Sequence, residues 1–398
     1  MTSNTTKTIS GRLARIGLFS GIATALLAAP LTASAYTFKD SSGDVEFKVG
    51  GYAKLSAIYS GTNSGKLDNT LGRNIYLPSA TPVGNGDSYQ TLDLTARESR
   101  INFGAKTTQG GHKLSMFLEM DFLGTSDGNE IVSNSYSPRL RHFFFTFDNW
   151  LFGQTWSTFM DTAALAESVD FLPSPEGIVF IRQAQVRYTA GNVQIALENP
   201  ESYVTNGGTD AANRTDGDVG ILPDLTANMK LKVEGGHLRF NGLFRQISVD
   251  QPGIDKSEFG FGIGVSGKIK VGSTDDVRFS ANYGDGMGRY TSLGLVKDGI
   301  LINGNIETVK SLAISGAYRH VWDEKSSSNI ILSMADIDNP NGAAGNENKG
   351  STSIQINYLF RPVKQVSYGI MYLGGTRETE NGDDGRLNRI QAAAKYSF

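Results

Sequence analysis

The sequence predicts an all-β fold, a 16-stranded antiparallel transmembrane β-barrel with an inward-folded constriction loop, on three observations. Apolar and polar residues alternate through one segment after another, which is typical of strands with one apolar and one wet face. Short turns and long polar loops follow one another in alternation along the chain. The chain also ends inside such a segment, RIQAAAKYSF, in which the aromatic residues Tyr396 and Phe398 share the apolar face.

The alternating segments can be delimited individually. In the first, VEFKVGGYAKLSAIY, Leu55 and Tyr59 share one face while Lys54 and Ser56 share the other. A secreted β-sandwich also has alternating strands, but it rarely combines so many of them with loops that differ in length at its two ends. We predict barrel strands at 45–59, 94–106, 113–122, 138–147, 150–157, 179–189, 193–200, 223–233, 237–247, 257–269, 277–284, 306–322, 328–336, 351–360, 366–377 and 387–398.

The end of the chain at Phe398 has a physical reason in a closed barrel. In hydrocarbon every backbone amide needs a partner, so the last strand has to pair with the first. An even number of strands puts both chain ends on the short-turn side, where Tyr396 and Phe398 join an aromatic girdle. We expect these two residues to act as the assembly signal for the β-barrel assembly machinery, because pairing with an exposed strand edge is an established mode of recognition.

Residues 1–35 have the features of a cleaved secretory signal peptide. Lys7, Arg12 and Arg15 open the chain without an acidic residue, an apolar stretch follows, and the segment 33–35 is a small-residue exit. The apolar stretch is short for a membrane-spanning anchor. We predict cleavage before Tyr36, export across the inner membrane, and a barrel domain at 36–398 in the bacterial outer membrane. Cleavage removes three of the 37 basic residues against 40 acidic ones, which takes the formal charge from −3 to −6 and argues against nucleic-acid binding.

Residue content and spacing argue against several functional classes. The chain has no cysteine, so disulfides, thiolate catalysis and zinc–thiolate sites are excluded. Its four histidines show no metal-ligand spacing, and we expect no metal or other cofactor. Gly262, Gly264 and Gly267 before Lys268 resemble a phosphate-binding loop, but Ile269 stands where such a loop needs Ser or Thr. We expect no enzymatic activity; an enzyme whose site is assembled from separate strands is the alternative.

The loop at 158–178, after the fifth strand, is predicted to fold into the barrel and narrow it. Unlike the other long loops it is partly apolar, with Phe159, Met160 and Leu172 among its residues. A loop that folds inward can pack this apolar content on the barrel wall and remove it from water. A packed outer cap or a subunit-contact loop is the alternative. The acidic residues of the constriction loop are Asp161, Glu167, Asp170 and Glu176.

The inner wall is expected to carry charged residues that set solute preference. We take the more polar face of each strand as the lumen face. The pore-lining basic residues are then Arg100, Arg187, Arg239, Arg245, Arg278, Arg319 and Arg389, and the acidic ones are Glu98, Glu119 and Asp121. Arg100 and Arg245 are expected at the constriction, opposite the acidic loop, from their positions along their strands. Three arginines have no assigned face, because phenylalanines share the parity of two of them: Arg139, Arg141 and Arg182.

Longer stretches of the chain resemble one known family. NWLFGQTWSTFMD, AESVDFLPSPEGIVFIRQAQVRYTAG and ENPES, all between Asn149 and Ser202, are similar to the DcaP-like porins of Gram-negative outer membranes, as are ARESRINFGAKT and the aromatic C-terminus. The resemblance implies a sixteen-stranded trimeric porin for small anionic solutes, dicarboxylates especially. Family members can carry an N-terminal coiled-coil extension, whereas this chain passes from Ala35 almost directly into its first strand.

These expectations describe a passive, water-filled diffusion channel for small hydrophilic solutes, favouring organic anions such as dicarboxylates. A barrel of this strand number encloses an aqueous lumen unless something fills it. The expected partners are outer-membrane lipid and lipopolysaccharide, small anionic solutes, the assembly machinery, and two further copies in a homotrimer. Small residues on the first and last strands, such as Ala53 and Ala392, would let neighbouring walls approach closely. The alternatives are a porin for neutral or cationic nutrients (sugars, amino acids), an outer-membrane enzyme, and an adhesin or scaffold with a plugged lumen.

Overall fold

The computed structural model describes residues 35–398 apart from 69–70, 126–127, 130–132, 208–214, 216 and 218. The predicted signal peptide, except for Ala35, lies outside the described residues. In the part of the chain that the structure describes, no helix is both long and apolar enough to cross a membrane.

The main sheet is built from strands that each pair antiparallel with their neighbours along the chain. The second strand is interrupted, with one half beside each part of the first strand. The barrel strands are β1 Val45–Thr62, β2 Tyr89–Thr95 with Arg100–Gln109, β3 His112–Asp121, β4 Arg139–Phe147, β5 Trp150–Trp156, β6 Arg182–Ala190, β7 Val193–Glu198, β8 Asp224–Val233, β9 Gly236–Gln251, β10 Ile254–Val271, β11 Asp275–Asp285, β12 Lys310–Val321, β13 Ser326–Asp338, β14 Asn348–Val363, β15 Val366–Thr379 and β16 Asp384–Ser397.

The sheet closes on itself through β16 and β1. Tyr52↔Ser397 and Thr62↔Leu387 are the first and last pairs of this ladder. The other edge of β1 pairs with both halves of β2, so neither edge of β1 is left open. The predicted closed antiparallel barrel of 16 strands is therefore confirmed.

Connections at one end of the barrel are short and those at the other are mostly long. At the short-turn end a further strand, Tyr36–Lys39, pairs with the beginning of β1. At the long-loop end lie small elements: a helix Leu71–Asn74, 3-10 turns at Pro78–Ala80 and Ser292–Gly294, a hairpin of Gly128–Asn129 with Ser135–Tyr136, and a sheet of Val204–Asn206, Gly299–Ile302 and Asn305–Thr308. Two further 3-10 turns, Thr162–Ala164 and Pro175–Gly177, belong to the connection between β5 and β6. The connection between β9 and β10 is an exception, since these long strands extend into a hairpin with a tight turn.

The outer wall is apolar and the inner wall is largely polar, as a membrane barrel requires. Leu55, Leu94 and Ile370 are each more than half exposed on the outer face. Polar side chains such as Ser56 and Gln391 are buried on the inner face, beneath the loop that enters the barrel. The inner wall also has apolar patches, and these lie where that loop packs.

A β-bulge in β4 changes the inward and outward parity halfway along the strand. Glu119 pairs with His142 and the next residue, Met120, pairs with Leu140, so Arg141 is an extra residue without a partner. Arg141 and His142 are consequently both buried on the inner side, while Phe143 is about half exposed on the outer side. Bulges of this kind re-aim side chains next to functional sites. The bulge explains why simple alternation could not assign a face to Arg139 and Arg141.

The seam between the chain ends depends on Gly51. Its N–H donates to the carbonyl oxygen of Phe398 at 3.2 Å, and the N–H of Phe398 donates to the carbonyl oxygen of Gly51 at 3.1 Å. Gly51 has a φ of +149°, and a Cβ added there would lie 2.1 Å from the carbonyl oxygen of Arg100. Only glycine therefore allows β1 to pair with the C-terminus and with β2 at the same level.

We predict that Gly51→Ala weakens closure of the barrel. The added Cβ forces β1 away from Arg100 and strains the backbone, at a cost of about 1–3 kcal/mol. The measurement is the temperature at which the folded barrel changes its electrophoretic mobility, and we expect this temperature to fall. Gly242→Ala is the matched control, because a Cβ at Gly242 would have no atom within 4 Å. Equal transition temperatures for the two variants would contradict the role of Gly51.

Candidate functional site

The segment 157–181, between β5 and β6, folds into the barrel and packs along its inner wall. Its first part places Phe159 and Met160 in a buried apolar cluster with Leu243 and Met287. Its middle part places Val169 in a second cluster with residues of β14, β15 and β16. Burying several large apolar side chains stabilises such a loop by roughly 1.5–3 kcal/mol for each. The apolar content of the loop is therefore packed against the lumen wall.

Asp161 anchors the start of the loop on β9 and β10. Its carboxylate lies 2.8 Å from Nε2 of His237, accepts a hydrogen bond from Ser266 at 3.0 Å, and lies 3.8 Å from Arg239. Burial opposes ionisation, but the hydrogen bond from His237 and the charge of Arg239 outweigh it and hold the pKa of the Asp161 carboxyl below its ordinary value. Asp161 is thus ionised, and its charge pairs with His237 and Arg239 on the wall.

Glu167 is the next anchor and lies against β12 and β14. Its carboxylate accepts from Arg361 at 2.9 Å and lies 3.5 Å from Arg319. Burial again opposes ionisation, but the charges of Arg361 and Arg319 keep the pKa of Glu167 below its ordinary value. Nearby, Arg278 donates to the carbonyl oxygen of Leu165.

Asp170 and Glu176 are anchored differently, by Tyr76 of the loop after β1. The N–H of Tyr76 donates to Asp170 at 2.8 Å, and its hydroxyl donates to Glu176 at 2.7 Å. Ser353 on β14 also donates to Glu176, at 2.7 Å. Burial is the main influence on both groups and raises the pKa of each carboxyl. The charge of Arg389 and hydrogen bonds offset this in part for Asp170, and hydrogen bonds alone offset it in part for Glu176. Tyr76 therefore holds the second half of the loop in place.

The tip of the loop reaches the barrel seam. Lys54 on β1 donates to the carbonyl oxygen of Val169 at 2.7 Å and is ion-paired with Glu98. Gly177 comes so close to β12 that an added Cβ would lie 1.9 Å from the carbonyl oxygen of Ile314.

All four predicted loop carboxylates, taken together, contact either the wall from β9 to β14 or the loop after β1.

The wall formed by β2, β3 and β4 carries a cluster of arginines and two carboxylates. Arg141 donates to Glu119 and to Asp121, each at 2.8 Å. Arg139 forms a two-pronged pair with Asp121, both bonds being 2.9 Å. Arg100 lies 3.2 Å from Glu119. The predicted residues Arg100, Glu119 and Asp121 are thus brought together, with two arginines whose faces the sequence left unassigned.

Aromatic rings of the loop and of the strands beside it cover these arginines. The guanidinium carbon of Arg141 lies 5.3 Å from the ring centre of Phe171. Arg182, at the start of β6, lies 4.5 Å from the ring of Trp156 and 5.6 Å from that of Phe180. Such cation–π contacts are strongest for desolvated cations. We call Arg182, Trp156, Phe171 and Phe180 the arginine–aromatic box.

The other predicted arginines lie on the inner wall but have different partners. Arg187 and Arg239 bond backbone carbonyls next to the loop, and Arg278 and Arg319 pair with Asp276. Arg389, predicted to line the pore, is 0% exposed, because it donates to Ser60 and to the carbonyl oxygen of Gly72 in the loop after β1, which covers it.

Arg245 differs from the expectation that it faces the loop across the constriction. It is 1% exposed and lies 2.7 Å from Asp298 and 3.3 Å from Asp224. Asp298 belongs to the loop after β11, which folds inward and covers Arg245. A long loop from a neighbouring strand thus turns a wall arginine into a buried structural ion pair, and strand parity carries no information about such coverage.

No group of three His, Cys, Asp or Glu side chains that could hold a metal ion is found among the residues that the structure describes.

Tyr396, part of the predicted assembly signal, is half exposed on the outer face near the short-turn end.

Comparisons with known proteins point to one family and one architecture. The family model described as DcaP outer membrane protein matches residues 77–398. The crystal structure of the outer membrane channel DcaP of Acinetobacter baumannii is similar, with a TM-score of 0.75, 24% identity, and 91% of this chain and 99% of that chain covered. An anion-selective porin from Comamonas acidovorans (TM-score 0.56, 11% identity, 89% and 100% covered) and Salmonella typhi OmpF (0.57, 11%, 91% and 100%) share the fold. No curated protein matches the sequence.

We predict that Tyr76→Phe loosens the second half of the loop. Glu176 loses a hydrogen-bond donor in a buried site, a change that costs about 1–3 kcal/mol. Amide hydrogen exchange in 168–177 should then become faster, while exchange in the barrel strands stays as it is. The matched control is Tyr283→Phe, because Tyr283 is exposed on the outer wall. Unchanged protection of 168–177 in Tyr76→Phe would show that Tyr76 does not hold the loop.

Proposed function

The chain belongs to the DcaP outer membrane protein family, and from this premise we propose that it is a passive, water-filled outer-membrane channel that favours small organic anions, dicarboxylates among them. One observation carries the proposal. The loop carboxylates are engaged away from β2, β3 and β4. On that part of the wall three arginines, Arg100, Arg139 and Arg141, share the two carboxylates of Glu119 and Asp121, while Glu98 is paired with Lys54.

The charge balance on the two sides of the loop supports an anion preference. On the loop side, Asp161 and Glu167 are paired with basic wall residues. On the opposite wall Arg100, Arg139 and Arg141 share Glu119 and Asp121. Arg182 adds a further positive charge to this side. Charged rings of this kind select ions, and arginine binds carboxylates in planar, paired geometry.

Transport through such a site needs weak and repeated binding. A dianion that enters exchanges hydration for hydrogen bonds from the arginine wall, and it leaves because those arginines are already shared with Glu119 and Asp121. We infer passive diffusion down a gradient, with the loop limiting the size of the solute. The runner-up is a channel for neutral or cationic nutrients, which the formal charge of −6 after removal of residues 1–35 favours.

The proposal includes assembly and location. We propose export under the signal peptide, folding by the β-barrel assembly machinery through the strand that ends in Tyr396 and Phe398, contact with lipid and lipopolysaccharide, and a homotrimer. Ala53, Ala392 and Ala394 face outward beside the seam, which leaves space for a neighbouring wall. A trimer form is known for Vibrio cholerae OmpT, which shares the fold at 11% identity and a TM-score of 0.53.

We predict that the purified channel in a potassium chloride gradient gives a zero-current potential of the sign expected for anions. Arg100→Ala should reduce that potential and weaken block of the current by a dicarboxylate by about 1–3 kcal/mol, since a charged hydrogen bond is lost. Arg386→Ala is the control, because Arg386 is exposed on the outer wall.

Deletion of 163–175 should raise conductance and reduce ion discrimination together.

A cation-selective potential in the unaltered protein would overturn the proposed anion preference. If the deletion leaves conductance unchanged, the loop does not limit the pore. If Arg100→Ala and Arg386→Ala have the same potential as the unaltered channel, Arg100 has no part in selectivity.

A further inference from the structure

We propose that the arginine–aromatic box is a binding site for aryl monocarboxylates, in which Arg182 holds the carboxylate and the rings of Phe171, Phe180 and Trp156 contact the apolar body of the solute. The inference rests on the proposed function, because the box lies in the lumen of the proposed channel. It adds a solute class that the anion preference alone does not specify.

Arg182 differs from the neighbouring arginines in its hydrogen bonds. Arg139 and Arg141 direct their donors at Glu119 and Asp121. Among the described residues, the side chain of Arg182 has no hydrogen-bond or ion-pair partner, and its Nη1 is fully buried. A guanidinium has five N–H donors. Arg182 therefore keeps donors free for a ligand, whereas its neighbours have committed theirs.

The rings fix how a ligand can approach Arg182. Trp156 and Phe180 lie 4.8 Å apart at 62°, and the guanidinium of Arg182 lies close to both rings. Because these rings occupy two sides of the guanidinium, a ligand reaches its N–H donors from the sides that the rings leave open. A guanidinium suits a planar carboxylate, which can accept two parallel hydrogen bonds.

The electrostatic surroundings of Arg182 also favour an anion. Among the charges that act most strongly on Arg182, those of Arg141, Arg139 and Arg100 repel it and that of Asp121 attracts it. A bound carboxylate would lower the repulsion among these arginines. The cluster thus lacks a negative charge at the position where Arg182 has free donors.

The third ring makes the box more than an anion site. Phe171 contacts Phe180 at 5.8 Å and 78°, and both rings are partly exposed to the lumen. A solute whose carboxylate reaches Arg182 places its adjacent atoms beside these rings. An aromatic body gains edge-to-face or offset contacts there that a methyl group cannot make. The box should therefore prefer an aryl acid to acetate.

Block of single-channel current by benzoate and by acetate tests the proposal, with the zero-current potential recorded in the same bilayers. We expect benzoate to bind several-fold more tightly than acetate. Arg182→Gln should weaken benzoate about tenfold or more, the loss of a charge-assisted pair. Trp156→Leu should weaken benzoate while leaving acetate as it is. The controls are Arg386→Gln and Trp150→Leu, both on the outer wall, and a recorded channel shows that each variant has folded.

Three outcomes overturn the box and leave the proposed function intact: equal block by benzoate and acetate in an anion-selective channel, benzoate block that survives Arg182→Gln, or loss of block in Arg386→Gln to the same extent. A cation-selective potential overturns the proposed function itself.

Discussion

The packing of the loop 157–181 against the inner wall formed by β9 to β16 is the constraint on which the pore depends. The loop brings Phe159, Met160 and Val169 out of water, and its carboxylates meet donors that are already in place on the wall or on Tyr76. Because the carboxylates are engaged there, they do not neutralise the arginines of β2, β3 and β4. The same packing that stabilises the loop therefore also produces the charge asymmetry of the lumen.

Much of the fold follows from the sequence because a barrel in lipid allows few solutions. Alternation identifies the strands, and the need to pair every backbone amide forces closure. The inward direction of Arg100 and Glu119 follows from the same parity. The apolar character of 158–178 was enough to predict that it folds inward. These features follow from the alternation of apolar and polar residues and from the need to pair every backbone amide, so a single sequence is enough to predict them.

Other features depend on contacts between distant segments, and the sequence carries no direct signal for them. The bulge at Arg141 is one extra residue in a ladder, and phenylalanines on the other side of the bulge concealed it. Arg245 has the parity of a pore-lining residue, but Asp298, in a loop about fifty residues later in the chain, pairs with it and buries it. Tyr76 lies in a loop, where strand alternation assigns no role to a side chain. The signal that could reveal its role is a bulky aromatic residue in a loop rich in polar residues.

A disulfide that fixes the loop 157–181 to β15 tests the packing of the loop most directly. The chain has no cysteine, and a Cβ at Gly369 on β15 would lie 2.7 Å from Cγ2 of Val169. In Val169→Cys/Gly369→Cys the account predicts that mild oxidation forms the disulfide, and that single-channel conductance is the same with the bond formed or reduced, because the loop already lies there. Failure to form the bond, or a conductance that changes when it is reduced, would contradict the account.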